Sequence, residues 1–118
     1  MIVEDDEMML SLLRTLLQLE GFEVVGIQNG DSLEQTVELV RQEKPALVLL
    51  DVRMRNFNGF DLLQCIRQDQ ALESTRVLIS SGMDVSDESR RLGADGFVLK
   101  PYMPGELILK IQEILRPS

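Results

Sequence analysis

Apolar and polar positions fall in blocks along the chain, and the period within each block names an element. Met1 to Asp5 reads as a short buried strand, and from about Asp6 to Glu20 the pattern turns helical, with Met9, Leu12, Leu13, Leu16 and Leu17 on one side. Gly21 stops that helix. The run "FEVVGI" reads as a second strand. "NGDSLEQTVELVRQEK" reads as a turn and a helix, with Asp31 or Ser32 as its cap and Leu33, Val37 and Val40 facing inward, before Pro45 ends it. "ALVLLD" is apolar at every position until Asp51, the signature of a central parallel strand covered on both faces. After the loop "VRMRNFNG" the pattern predicts a helix near Phe60 to Asp69, a strand "VLIS", a short helix within "VSDESRRLG", a strand "FVLK", and a last helix from about Pro104 to Leu115.

Five strands alternating with five helices predict an α/β fold, a doubly wound parallel sheet with helices on both faces. Such sheets bind ligands beyond the carboxyl ends of their strands. Every predicted strand end but the second carries polar chemistry: Glu4, Asp5 and Asp6 after the first, Asp51 after the third, Ser80 and Ser81 after the fourth, and Lys100 before Pro101 after the fifth.

Composition narrows the functional classes. At 118 residues and 44% hydrophobic, the chain is expected to form one domain over residues 1–118 with a full core, and no apolar run is long enough to cross a bilayer. The start lacks a basic region leading into an apolar one, so a signal peptide is not expected and a soluble, cytoplasmic protein is. A net charge of -8, from 12 Lys+Arg against 20 Asp+Glu, gives no electrostatic footprint for direct nucleic-acid binding. Histidine is absent and Cys65 is alone, which removes the commonest general base, a zinc centre and an internal disulfide. The chemistry left to the chain runs on carboxylates, hydroxyls and lysine.

Each polar strand end taken singly has an ordinary explanation as a turn, cap or surface residue. The run "EDDE" at Glu4 to Glu7 would suit the start of a helix, where carboxylates accept free N–H groups. Gathered at one sheet edge, the same residues make a pocket for a divalent cation and an anion together. Asp5 and Asp51 side by side would raise each other's pKa, so a hard, oxygen-preferring ion such as Mg²⁺ is their natural partner. Mg²⁺ and Lys100 could then neutralise a phosphoryl group, towards which an aspartate is a competent nucleophile.

With these residues in order, the chain resembles the receiver domain of two-component response regulators, CheY-like in type. The resemblance is carried by "IVEDD", "ALVLLDVRM" with Asp51, Gly59 in the loop beyond, "VLISSG" with Ser81, and "GADGFVLKP" with Lys100 and Pro101. It implies a flavodoxin-like strand order 2-1-3-4-5 and Asp51 as the phosphorylation site. It implies Mg²⁺ held by Asp5, Asp51 and the backbone carbonyl of Arg53, with Glu4 assisting through water. Ser81 and Lys100 would each take a phosphoryl oxygen, the Lys100–Pro101 bond would be cis, and Phe97 would turn inward as Ser81 moves. The implied partners are a histidine kinase or histidine phosphotransfer protein as donor, an output domain or downstream protein, and a phosphorylation-dependent homodimer. The chain would be a switch that assists its own phosphorylation and dephosphorylation, rather than an enzyme.

Some positions depart from that pattern. Arg55 stands where proline is usual, Ser80 is polar where a strand residue is usually apolar, and the stretch from Ser81 to Lys100 is short, so the fourth helix should be short or irregular. The first strand also begins close to Glu4, as though native residues preceded it. Arg53 and Met83 each lie two positions beyond a site residue. There Arg53 could reach the phosphoryl group or a carboxylate, and Met83 could shield the acyl phosphate. The rival readings are weaker. A haloacid-dehalogenase-like phosphohydrolase needs a second acid where Arg53 stands, a flavin carrier needs a Ser/Thr/Gly-rich loop where "EDDE" stands, and a phosphorylation-independent pseudo-receiver would not need Asp5, Asp51, Ser81 and Lys100 together.

Overall fold

The computed structural model describes residues 1–26 and 31–116. Four parallel strands form one sheet in chain order: β1 (Ile2–Val3), β2 (Leu47–Asp51), β3 (Arg76–Ser81) and β4 (Gly96–Leu99). Among the described residues five α-helices accompany them, α1 (Glu7–Leu19), α2 (Leu33–Glu43), α3 (Gly59–Gln68), α4 (Ser86–Arg91) and α5 (Pro104–Leu115), with a short 3-10 helix at Gln70–Leu72.

The predicted second strand is the one departure in the sheet. Among the described residues of "FEVVGI", only Gly26 pairs, through a single parallel bridge to Ile2, while the Val25 carbonyl accepts the Ile2 N–H at 2.8 Å. Ile27 lies outside the described residues. The physical reason is the neighbour: β1 is two residues long and offers almost no ladder for an outer strand to follow. The bridge still places this segment on the far side of β1 from β2, which matches the expected order.

β2 shows why one apolar run covers both faces. Val48 and Leu50 point into a cluster with Val37 and Val40 of α2 and Leu62, Leu63 and Ile66 of α3. Leu47 and Leu49 point the other way, into a cluster with Leu13 and Leu17 of α1 and Leu107 and Ile111 of α5. The same alternation runs through Val77, Leu78 and Ile79 of β3. The sheet is therefore a buried layer between two pairs of helices.

The helix ends follow local rules. Asp6 caps α1, its Oδ1 accepting the N–H groups of Met8 and Met9. Ser32, rather than Asp31, caps α2 in a reciprocal arrangement with Gln35, and Lys44 ends that helix at φ 44°. The fourth helix is short, as expected: six residues whose N-cap position, Val85, gives no side-chain hydrogen bond. The bond before Pro101 is cis. On α1, Leu13 and Leu17 are core while Met8, Leu12 and Leu19 are exposed, so its apolar excess divides between core and surface.

Ile66 is fully buried between α3 and the sheet. Ile66→Ala is expected to cost about 3 kcal/mol, by lost burial plus a cavity among close-packed neighbours. Urea unfolding would read this as a lower midpoint at unchanged slope.

Candidate functional site

The register of parallel strands brings the polar strand ends to one edge. Asp51 ends β2 opposite Ser80 of β3, Ser81 stands opposite Leu99, and Lys100 follows β4. Glu4 follows β1 directly. A cleft of about 640 Å³ opens there, lined among others by Glu4, Asp5, Asp51, Arg53, Arg55 and Lys100.

At its floor the Lys100 ammonium donates to Glu4 Oε1 and to Asp51 Oδ2, each at 2.8 Å. Glu4 is 7% exposed, and its Oε2 also accepts the Asp5 N–H at 3.0 Å. Burial pushes the Glu4 carboxyl up, and the adjacent Asp51 adds to this, while Lys100 works in the opposite direction. For Lys100, burial alone would lower the pKa, but the hydrogen bonds it donates to Asp51 and Glu4 outweigh this and hold the ammonium above its ordinary value. Asp51 is further oriented by the Arg53 N–H, which donates to its Oδ1 at 3.2 Å.

Asp5 takes a different partner. Its Oδ2 accepts the Arg55 backbone N–H, and the Arg55 guanidinium lies 4.0 Å away. The departure from proline at position 55 thus has a structural use, because proline has no N–H to give. Gly59, at the start of α3, donates its N–H to the Val52 carbonyl at 2.7 Å. A Cβ there would sit 2.3 Å from the Asp51 carbonyl oxygen, so only glycine lets α3 pack this close to the strand end that carries Asp51.

Of the remaining predicted residues, Arg53 lines the cleft, whereas Ser81 and Phe97 are not among its lining residues. Ser81 is buried, and its Oγ accepts the Met83 N–H at 3.1 Å while its carbonyl accepts the Lys100 N–H. Phe97 is half-buried in β4 and packs against the α2–α3 core. The Arg53 guanidinium, placed by sequence near a phosphoryl group or carboxylate, instead donates to the Met83 sulfur at 3.2 Å. All four residues of "EDDE" line the cleft, but their bonds divide them: Glu4 pairs with Lys100 and Asp5 with the Arg55 N–H, whereas Asp6 caps α1 and Glu7 opens its first turn. Sequence reasoning did not find the Asp5–Arg55 contact, since a backbone donor leaves no mark in residue type.

The donor set suits a hard cation. Asp5 is engaged through Oδ2 among the described residues, Asp51 lies in the same cleft, and both are oxygen ligands. Among the described residues no three acidic, histidine or cysteine side chains converge tightly enough to hold a metal unaided, so carbonyl and water oxygens would have to complete the shell. Among the same residues no helix is long and apolar enough to cross a membrane.

Comparison with known proteins is consistent with this geometry. The family model described as "Response regulator receiver domain" matches residues 1–112. The DNA-binding response regulator MtrA of Mycolicibacterium smegmatis is 33% identical over 98% of this chain and 50% of its own length. Among solved structures, a CheY-like receiver domain protein from Methanospirillum hungatei superposes with a TM-score of 0.84 at 26% identity, covering 97% of this chain and 90% of that one. The BeF3-activated N-terminal receiver domain of Klebsiella pneumoniae RstA gives 0.86 at 25% identity, covering 98% and 97%. The chain spans about half the length of the curated relatives it matches.

Lys100→Ala would leave Glu4 and Asp51 facing each other without their cation, at an expected cost of about 2 kcal/mol near neutral pH, discounted because Lys100 is partly exposed. A carboxyl whose folded pKa is raised binds a proton that the unfolded chain releases. Stability therefore increases as pH falls through the folded pKa, and losing Lys100 lifts Glu4 further. Urea melts should show the gap between variant and wild type narrowing as pH is lowered from neutral towards the ordinary carboxylate range.

Proposed function

Because the chain belongs to the response-regulator receiver family, shown by the family match over residues 1–112, we propose that Asp51 is its phospho-acceptor and that it works as a phosphorylation-dependent switch. The observation that carries this is the Lys100 ammonium bound to both Glu4 and Asp51 in a cleft that also holds Asp5. A carboxylate poised between a fixed ammonium and an oriented N–H is a preorganised nucleophile.

In the step envisaged, an Asp51 carboxylate oxygen attacks the phosphorus of a phosphohistidine on a kinase or phosphotransfer protein. The P–N bond breaks, the imidazole leaves with the electron pair and takes up a proton, and an acyl phosphate forms on Asp51. Lys100 is already on Asp51, so it needs little reorganisation to meet the incoming phosphoryl oxygens. Asp5, Asp51 and the Arg53 carbonyl would hold Mg²⁺, with Glu4 assisting through water. When bound, that ion supplies charge neutralisation for the phosphoryl group. Glu4 fits the auxiliary role because Lys100 and the Asp5 N–H already occupy its oxygens.

The signal would leave through Ser81 and Phe97. The Ser81 Oγ leaves the Met83 N–H it accepts, its hydroxyl donates to a phosphoryl oxygen, and Phe97 turns into the space vacated. The face formed by α4, β4 and α5 changes with it, altering contact with a downstream partner, an output domain or a second copy. Some relatives are named DNA-binding regulators and are about twice as long. For this chain, with its net charge of -8, we assign any DNA contact to a region outside the receiver. Residues 1–118 then act as one cytoplasmic receiver domain, and as a switch rather than an enzyme.

Acetyl phosphate with Mg²⁺ is expected to add one phosphoryl group to the wild-type chain, seen by intact mass, and chelation of the metal should prevent it. Asp51→Ala should take none. Labelling that persists in Asp51→Ala, or no labelling of wild type, rejects the proposal.

A further inference from the structure

The two loops flanking the cleft are joined by one side-chain contact outside the phospho-acceptor chemistry. The Arg53 guanidinium donates to the Met83 sulfur at 3.2 Å, across the sheet edge from the loop after β2 to the loop after β3. Each end is tied to a site residue through the backbone. The Arg53 N–H is on Asp51 Oδ1, and the Met83 N–H is on Ser81 Oγ. The contact therefore couples the loop that orients Asp51 to the loop that holds the Ser81 hydroxyl.

A thioether is a weak acceptor, so in this state the contact is a loose one. It is also open to reagents, with Met83 58% exposed. Met8 and Met103 are exposed as well, at 83% and 70%, but among the described methionines Met83 alone accepts a hydrogen bond from a guanidinium. Oxidising that sulfur replaces a weak neutral acceptor with a strongly polar S=O group facing a cation.

We propose that Met83 is a peroxide-sensitive modification site whose sulfoxide is clasped by Arg53, tightening the two loops and slowing access to Asp51. In the covalent step a sulfur lone pair attacks one oxygen of a hydroperoxide. The O–O bond breaks, the S–O bond forms, and the proton of the transferred oxygen passes to the departing oxygen, giving water from hydrogen peroxide. Sulfur loses two electrons and the peroxide gains them. The inference rests on Asp51 being the phospho-acceptor only for its kinetic consequence. The clasp itself is a property of the two loops.

The test uses the full chain with Met8→Leu and Met103→Leu, compared before and after hydrogen peroxide treatment, with the sulfoxide located by peptide mass. The oxidised chain should lose its phosphoryl group about threefold more slowly and label more slowly with acetyl phosphate, the scale of one strengthened charge-assisted hydrogen bond. Adding Arg53→Ala should leave Met83 oxidisable but abolish the difference. Equal half-lives before and after oxidation overturn the inference, as does a difference that survives in Arg53→Ala. Hydrogen exchange without phosphodonor separates this from failure of the phospho-acceptor reading. Oxidation should slow exchange around Arg53 and Met83, and unchanged exchange there overturns the clasp even if Asp51 is never phosphorylated.

Discussion

The cleft depends on one half-buried cation, Lys100. Glu4 is almost fully covered and Asp51 sits beside it, and two carboxylates this close repel each other without compensation. Lys100 supplies it to both, across 96 residues of sequence from Glu4 and 49 from Asp51. The contact therefore ties three strand ends together, and the sheet register has to be right for it to form. Chemistry and folding share this interaction: the ammonium that makes the acidic floor tolerable is also the one placed to receive new negative charge.

The second constraint is close approach. The Gly59 N–H bonds the Val52 carbonyl, and its missing side chain lets α3 start almost against the Asp51 backbone. In the loop between them, Arg53 and Arg55 turn their backbone N–H groups to Asp51 and Asp5. Two carboxylates that repel each other are thus held by donors from one short loop. Away from the cleft, Arg67 of α3 bonds the Gly93 and Thr75 carbonyls and Asp95, fastening the opposite edge of the sheet around β3 and β4. Both edges are thus locked by paired charges.

Much of this was legible in the chain because burial leaves a periodic trace. The unbroken apolar run from Leu47 to Leu50 marked a strand covered on both faces, and the spacing of Leu13 and Leu17 marked a helix with one buried side. Asp51, Asp5, Ser81 and Lys100 stood out because polar residues ending apolar runs must meet at the same edge of a parallel sheet. "FEVVGI" misled because its composition favours a strand, whereas pairing depends on the length of the neighbour, and β1 is too short to extend it.

The sequence by itself determined the order of elements, the two-faced core and the set of polar groups at the strand ends, since these follow from local period and alternating topology. Only the tertiary structure decided which group holds which. It placed Lys100 between Glu4 and Asp51, gave Asp5 the Arg55 N–H, and turned the Arg53 side chain from the carboxylates to Met83. The physical reason is that hydrogen-bond pairing is set by ångström-scale geometry between segments distant in sequence, and backbone donors carry no residue-type signature.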